Sequence, residues 1–399
     1  MSRRLGWALA LALWTWAALP GQAHALFIKS QMERIDREGL FDSEYFLDLL
    51  GFSFPQEWDE VWRGSSASYR INGASLDCCD LALQQEARLL RRLPGQAWFA
   101  FRFLQNDDKD EQRTHHWIEL GKEWAYGFST LAYGEPTFHK EDSDIGLGLA
   151  WRRQDAGILW RRTWVDFSFN ERSSSGQRYG RAPVTDEFRL DLSVRDHRAG
   201  AWVEFDHPLS RQIPAESRVF FYRRTSLGLR WSKDLRLTPA LEYQYQYQNL
   251  ANGFEPDSGS SLSQRRRVHR AQASLSLPLG SADSVEAGQA FWLRRATNDR
   301  PNSPADSHHR RWEIEPYARW RHRLGAALVS ELASFLSFGE NRRGADPSFN
   351  QSIIEAKLGA GLDFVFGPSG RLGLYTTFDI DSLHRHAWDG GNIRGMFLF

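Results

Sequence analysis

The sequence predicts an all-β chain that closes as a transmembrane, antiparallel up-and-down β-barrel of about 18 strands. Three observations carry that expectation. Apolar residues recur at every second position from residue 65 to the end, the connections between these runs alternate between short and long, and the only stretch resembling a membrane helix is Leu5 to Leu19. Composition agrees: 41% hydrophobic residues and a mean hydropathy of -0.53 exclude a bundle of apolar helices, yet 17 Trp, 11 Tyr and 26 Phe are many for so polar a chain. The 50 basic side chains balance 50 acidic ones, so nothing points to a nucleic-acid partner. Two adjacent cysteines, Cys78 and Cys79, exclude a disulfide framework.

Residues 1–25 read as an export signal. Arg3 and Arg4 precede the apolar run, Pro20 and Gly21 end it, and Ala23-His24-Ala25 has the small-residue spacing of a cleavage site after Ala25. The run is short for a membrane span. Residues 26–64 show helical spacing at Met32, Ile35 and Leu40, then Tyr45, Phe46, Leu49 and Leu50, with breaks at Gly39 and Gly51. They are too few for a core of their own and are expected to form a short periplasmic leader or plug.

Residues 65–399 form the barrel. The clearest strand alternates Leu235, Leu237, Pro239, Leu241, Tyr243, Tyr245 and Tyr247 with Arg236, Thr238, Ala240, Glu242, Gln244, Gln246 and Gln248. Phe188 to Val194 opposes Arg189, Asp191 and Ser193 in the same way, and Ile354 to Phe366 opposes Glu355, Lys357 and Asp363. Such lengths suit a tilted crossing of roughly 9 to 11 residues. A soluble sandwich would need linkers and a solenoid a fixed repeat, and the sequence has neither. Short turns fall at 93–96, 153–156, 196–200, 232–234, 280–283, 323–325 and 367–370. Longer polar connections fall at 106–114, 134–143, 170–186, 249–264, 297–307 and 340–348. Short inner turns alternating with longer outer loops mark a membrane barrel. Candidate strands counted back from the end reach residue 79, and Tyr69 to Gly73 supplies one more. The even count preferred is about 18, with 16 as the alternative.

The chain ends Asn-Ile-Arg-Gly-Met-Phe-Leu-Phe, with Ile393, Gly395, Phe397 and Phe399 at alternate positions. This ending resembles the assembly signal of Gram-negative outer-membrane β-barrel proteins, porin-like in the broad sense, with no narrower family marked. The resemblance implies insertion by the barrel assembly machinery into the cell outer membrane, among its lipid and lipopolysaccharide. It does not bear on oligomeric state.

With the polar face turned inward, the lumen is expected to carry Arg102, Glu119, Arg162, Asp166, Arg189, Asp191, Glu204, Arg224, Arg230, Glu242, Arg294, Glu313, Glu315, Arg319, Arg321, Glu331, Glu355, Lys357, Asp363, Arg371 and Asp379. Both signs are interleaved, whereas ion-selective pores use rings of one sign. A barrel of this size encloses a passage unless something fills it. The expected function is therefore a channel for hydrophilic solutes with weak charge selectivity, narrowed if the loop 170–186 folds inward. The alternative is a non-conducting scaffold or export partner of a secretion, polysaccharide or electron-transfer complex. A hydrolase comes third, because no Gly-x-Ser-x-Gly or His-Glu-x-x-His run is present. No enzyme activity and no cofactor are expected. Strand parity places most histidines at the outer mouth, and His115, His116, His384 and His386 near Cys78 and Cys79 are candidate metal ligands.

Overall fold

The computed structural model describes residues 65–76, 80–108, 112–135, 144–165, 184–207, 209–213, 218–254, 262–299, 308–344, 350–380 and 388–399. The segments read from sequence as an export signal and a leader, and Cys78 with Cys79, lie outside them.

Alternation of apolar and polar residues allows one face of a strand to meet lipid and the other water, and the chain uses it throughout. The strands are β1 (Ala67–Leu76), β2 (Asp80–Leu93), β3 (Ala97–Asp108), β4 (Gln112–Glu123), β5 (Phe128–Gly134), β6 (Asp144–Arg152), β7 (Ala156–Val165), β8 (Val184–Val194), β9 (His197–Asp206) and β10 (Leu209–Ile213). They continue as β11 (Arg218–Lys233), β12 (Thr238–Phe254), β13 (Leu262–Pro278), β14 (Asp283–Asp299), β15 (His308–Arg323), β16 (Leu328–Arg343), β17 (Gln351–Phe366), β18 (Gly370–Asp379) and β19 (Trp388–Leu398). Apart from β9 and β10, which do not pair with each other, each strand pairs antiparallel with its neighbours in sequence, and β1 pairs with β19 to close the sheet.

β9 and β10 both pair with β11, one along Thr225 to Lys233 and the other along Arg218 to Tyr222. They are two pieces of one crossing, so the 19 segments make a closed barrel of 18 strands. The break falls between Asp206 and Leu209. At the seam, Ser68 opposes Leu398 and Leu76 opposes Gly390, and the Phe399 N–H donates to the Ala67 carbonyl at 2.9 Å.

The short connections lie together at one end. The turn between β4 and β5, Trp124 to Gly127, is absent from the sequence reading because Trp-Ala-Tyr-Gly looks like continued strand. Tyr126 and Gly127 turn the chain there with φ of 62° and 81°, and a Cβ on Gly127 would sit 2.1 Å from the Arg152 carbonyl. At the other end most connections are longer, although the ladders run further than expected. The connection expected at 106–114 shrinks to 109–111, because β3 and β4 stay paired up to Asp107 and Gln112. From β11 to β17 the strands have 16 or 17 residues, against 7 in β5 and 9 in β6. The wall therefore stands taller on the β11–β17 side.

The outer face is an apolar belt that includes Leu120, Phe128, Leu147, Leu149, Leu190, Leu332 and Leu358, all exposed. A continuous apolar belt around a closed barrel is a membrane-facing surface. The inner face is packed by aromatic rings laid over glycines. Trp98 opposes Gly121, Tyr133 opposes Gly146, Trp202 opposes Gly228, Tyr317 opposes Gly288 and Tyr375 opposes Gly361. At Gly121, Gly146 and Gly228 a Cβ would come within 2.0 to 2.2 Å of the facing ring. Each ring thus lies flat along the wall, covering the neighbouring backbone, because the opposite residue has no side chain. Gly146→Val should push Tyr133 off the wall and cost about 1–3 kcal/mol, as overpacking does. The check is heat-modifiable migration of the refolded barrel, and adding Tyr133→Ala should restore the shift.

Candidate functional site: the charged inner wall

Three clusters organise the inner wall. On β1–β3, Glu86 accepts from Arg70 and Arg102, each at 2.6 Å, and Arg102 also stands over the Trp117 ring at 5.0 Å. On β7–β11, Arg161 bonds Glu187 and Arg224 bonds both Glu204 (2.8 Å) and Asp206 (3.2 Å). On β15–β19, Asp363 accepts from Arg394 at 3.0 Å and Arg321 at 3.1 Å, and Glu331 stands 3.4 Å from Arg321. Nearly all these groups are buried; the Arg394 and Asp363 side chains keep 1% and 2% exposure. Neighbouring strands place opposite charges side by side, so each buried charge gains partners that offset its desolvation.

A second part of the wall is open. Arg230 of β11 and Asp191 of β8 point inward across Gly200 and pair at 2.6 Å, yet their side chains are 58% and 46% exposed. Glu242 on β12 and Glu355 on β17 face inward and are also exposed.

Register and burial place Arg102, Glu119, Arg189, Asp191, Glu204, Arg224, Arg230, Glu242, Arg294, Glu313, Glu315, Arg319, Arg321, Glu331, Glu355, Lys357, Asp363, Arg371 and Asp379 on the inner face. Asp166 lies outside the described residues. Arg162 is a correction: it projects from the outer face. There it makes a two-pronged bond to Asp186 at 2.9 and 2.7 Å, and Asp186 also takes contacts from His207 at 2.7 Å and Trp160 at 3.1 Å. The cause is local. Arg161 and Arg162 are consecutive, as are Asp186 and Glu187, so either parity offers a pair. Packing decides, because buried Leu159 joins Trp98, Ala100, Leu131 and Tyr133 on the inner wall and takes Arg161 with it. Sequence reasoning also missed Arg70, Glu86, Glu187, Asp206, Arg266, Arg270, Arg311 and Arg394. Arg394 was hidden inside the terminal strand, where attention falls on the aromatics.

Of the candidate metal ligands, His116 lies on the outer face of β4, stacked on Phe103 with centroids 6.3 Å apart. The His115 side chain, His384 and His386 lie outside the described residues, among which no three His, Cys, Asp or Glu converge as a metal site requires. Of the terminal positions, Ile393, Phe397 and Phe399 are exposed on the outer face, and Gly395 lies against Ile71.

An apolar groove of about 670 Å³ crosses the outer face from β8 to β14. Small Ala199, Ala201, Ala271 and Ala273 floor it, and Leu192, Trp231, Tyr243 and Phe291 rise around it.

The barrel, its apolar belt and its charged interior define an outer-membrane-type β-barrel protein. Neither family models nor curated proteins match the chain. Among solved structures it is similar to a bacterial polysaccharide outer membrane secretin, at 12% identity over 84% of this chain and 99% of that one, with a TM-score of 0.45. It is also similar to two Pseudomonas aeruginosa proteins. OccK2, solved with glucuronate, has 10% identity over 84% and 97% of the chains and a TM-score of 0.43. OccK3 has 14% identity over 89% and 98% and a TM-score of 0.41.

Asp363→Ala should take from buried Arg394 and half-buried Arg321 the carboxylate they share and cost about 3–5 kcal/mol, the usual result of breaking a buried pair from one side. Asp191→Ala, in the exposed pair, should cost about 1 kcal/mol or less. Urea unfolding in detergent or lipid vesicles compares the two.

Proposed function

We propose that this chain is an outer-membrane channel that passes hydrophilic solutes with weak charge selectivity and performs no catalysis. In this reading the short turns face the periplasm, the long loops face outward, and the Ile393-to-Phe399 strand is the signal read by the assembly machinery. The supporting observation is the inward-facing but exposed Arg230–Asp191 pair: accessible surface on the inner face of a closed barrel is surface given to water in the lumen. Charges of both signs line this wall, so neither cations nor anions gain a ring of counter-charge.

Single-channel recording in a planar bilayer tests the proposal. Discrete steps and a reversal potential near zero in a salt gradient are expected, and Arg230→Glu should shift that potential toward cation preference. The second reading, a scaffold or export-partner role, is supported by the tightly paired and buried Glu86, Arg224 and Asp363 clusters on the inner wall. Absence of any conductance from folded barrels would establish that role over the channel.

Phe399 closes the last ladder rung to Ala67 while its ring stays exposed. Its deletion should lower the amount of heat-modifiable barrel in cell membranes several-fold and leave refolding from urea nearly unchanged. Equal loss in both settings would make its role purely structural.

A further inference from the structure

On the outer face of the tall wall, Arg267 of β13 is directly opposite Arg295 of β14, Arg295 is opposite Arg310 of β15, and Arg310 is opposite Arg342 of β16. Strands lie about 4.8 Å apart, and like charges directly opposite one another repel. Glu340, bonded to Arg342 at 2.7 Å, is the one acid facing this row among the described residues. Arg162, the outward arginine on β7, has instead the full carboxylate of Asp186. Glu340 also acts on Arg310, and Arg267 stands over the Tyr247 ring at 5.8 Å, so four arginines share one described carboxylate and the row has capacity for a further anion.

Its depth indicates where that anion comes from. On β15 the outward residues run from Trp320 through Ala318, Pro316 and Ile314 to Trp312, and Arg310 follows. Trp320 to Trp312 is one membrane crossing of about 9 residues, bounded by aromatic residues as at lipid interfaces. The arginines thus stand at the headgroup level on the long-loop side. Below them the wall turns apolar, and the groove floored by Ala271 reaches Phe291, four residues down β14 from Arg295, or about 13 Å at strand rise.

We propose that this face of β13–β16 binds a phosphorylated, multiply acylated lipid of the outward leaflet. Phosphate oxygens take two-pronged bonds from the arginine row, a geometry guanidinium matches well, and an acyl chain lies in the Ala271 groove. The orientation rests on the proposed channel reading, but lipid binding and conductance are read separately.

The test uses the folded full-length mature barrel in detergent, titrated with diphosphoryl lipid A and followed by native mass spectrometry. Enzymatically dephosphorylated lipid A and inorganic phosphate serve as separate probes. Diphosphoryl lipid A should bind at least tenfold more tightly than the dephosphorylated form, and Arg295→Gln with Arg310→Gln should remove that difference. Arg198→Gln, at the opposite end of the barrel, should not. Ala271→Phe fills the groove and should weaken both lipids without touching the arginines, and it serves if the double variant does not fold. Equal affinity for the two lipids, or an unchanged double variant, would overturn the proposal. Displacement of lipid A by millimolar inorganic phosphate would assign the row to a soluble anion instead. Conductance should be the same in every outward variant, so a channel failure and a lipid-site failure are separable.

Discussion

Every backbone N–H and C=O that enters a bilayer must find a partner within the protein, because hydrocarbon offers none. For a chain of strands, the seam between β19 and β1 discharges that requirement. Without it the first and last strands would present two rows of bare polar groups to lipid, and the strands between them would form an open sheet. Closure in turn separates outside from inside: once the sheet is a cylinder, strict alternation along each strand becomes an apolar belt on one surface and a charged wall on the other.

The inner wall solves two problems with one set of side chains. Buried arginines and carboxylates are costly alone, and the antiparallel register brings them together from adjacent and next-nearest strands. Arg394 reaches Asp363 and Arg102 reaches Glu86 in this way. Aromatic rings over glycines fill the space between the clusters. One inward position beyond Trp202 and Gly228, the Arg230–Asp191 pair near the short-turn end stays exposed. Buried and exposed pairs thus follow one another along the same strands, Arg224 before Arg230 on β11 and Glu187 before Asp191 on β8.

The outer surface is less uniform than a lipid-facing belt requires. Arg162 and Asp186 neutralise each other on the β7–β8 side. The β13–β16 side instead lines up Arg267, Arg295 and Arg310 with no acid in the row itself. The same strands are the tallest, so their outward ends carry polar residues past the aromatic belt without burying them in hydrocarbon.

Much of this was legible in the sequence, since a period of two survives any tertiary arrangement and fixes which residues share a face of a strand. Tyr243, Tyr245 and Tyr247 against Gln244, Gln246 and Gln248 left little choice, and the even count with a paired terminal strand followed from the need for closure. Parity became ambiguous where charges were consecutive. Arg161 and Arg162 are equally polar, and only contact of Leu159 with Tyr133 and Trp98 chose between them. The Trp124–Gly127 turn was concealed by its aromatic residues. Periodicity along each strand thus determined the belt and the wall, and left the strand count between 18 and 16 until the closed barrel decided it at 18. Which charges meet, which rings cover which glycines and where arginines line up depend on register between strands, a relation set by packing and visible only when the barrel is closed.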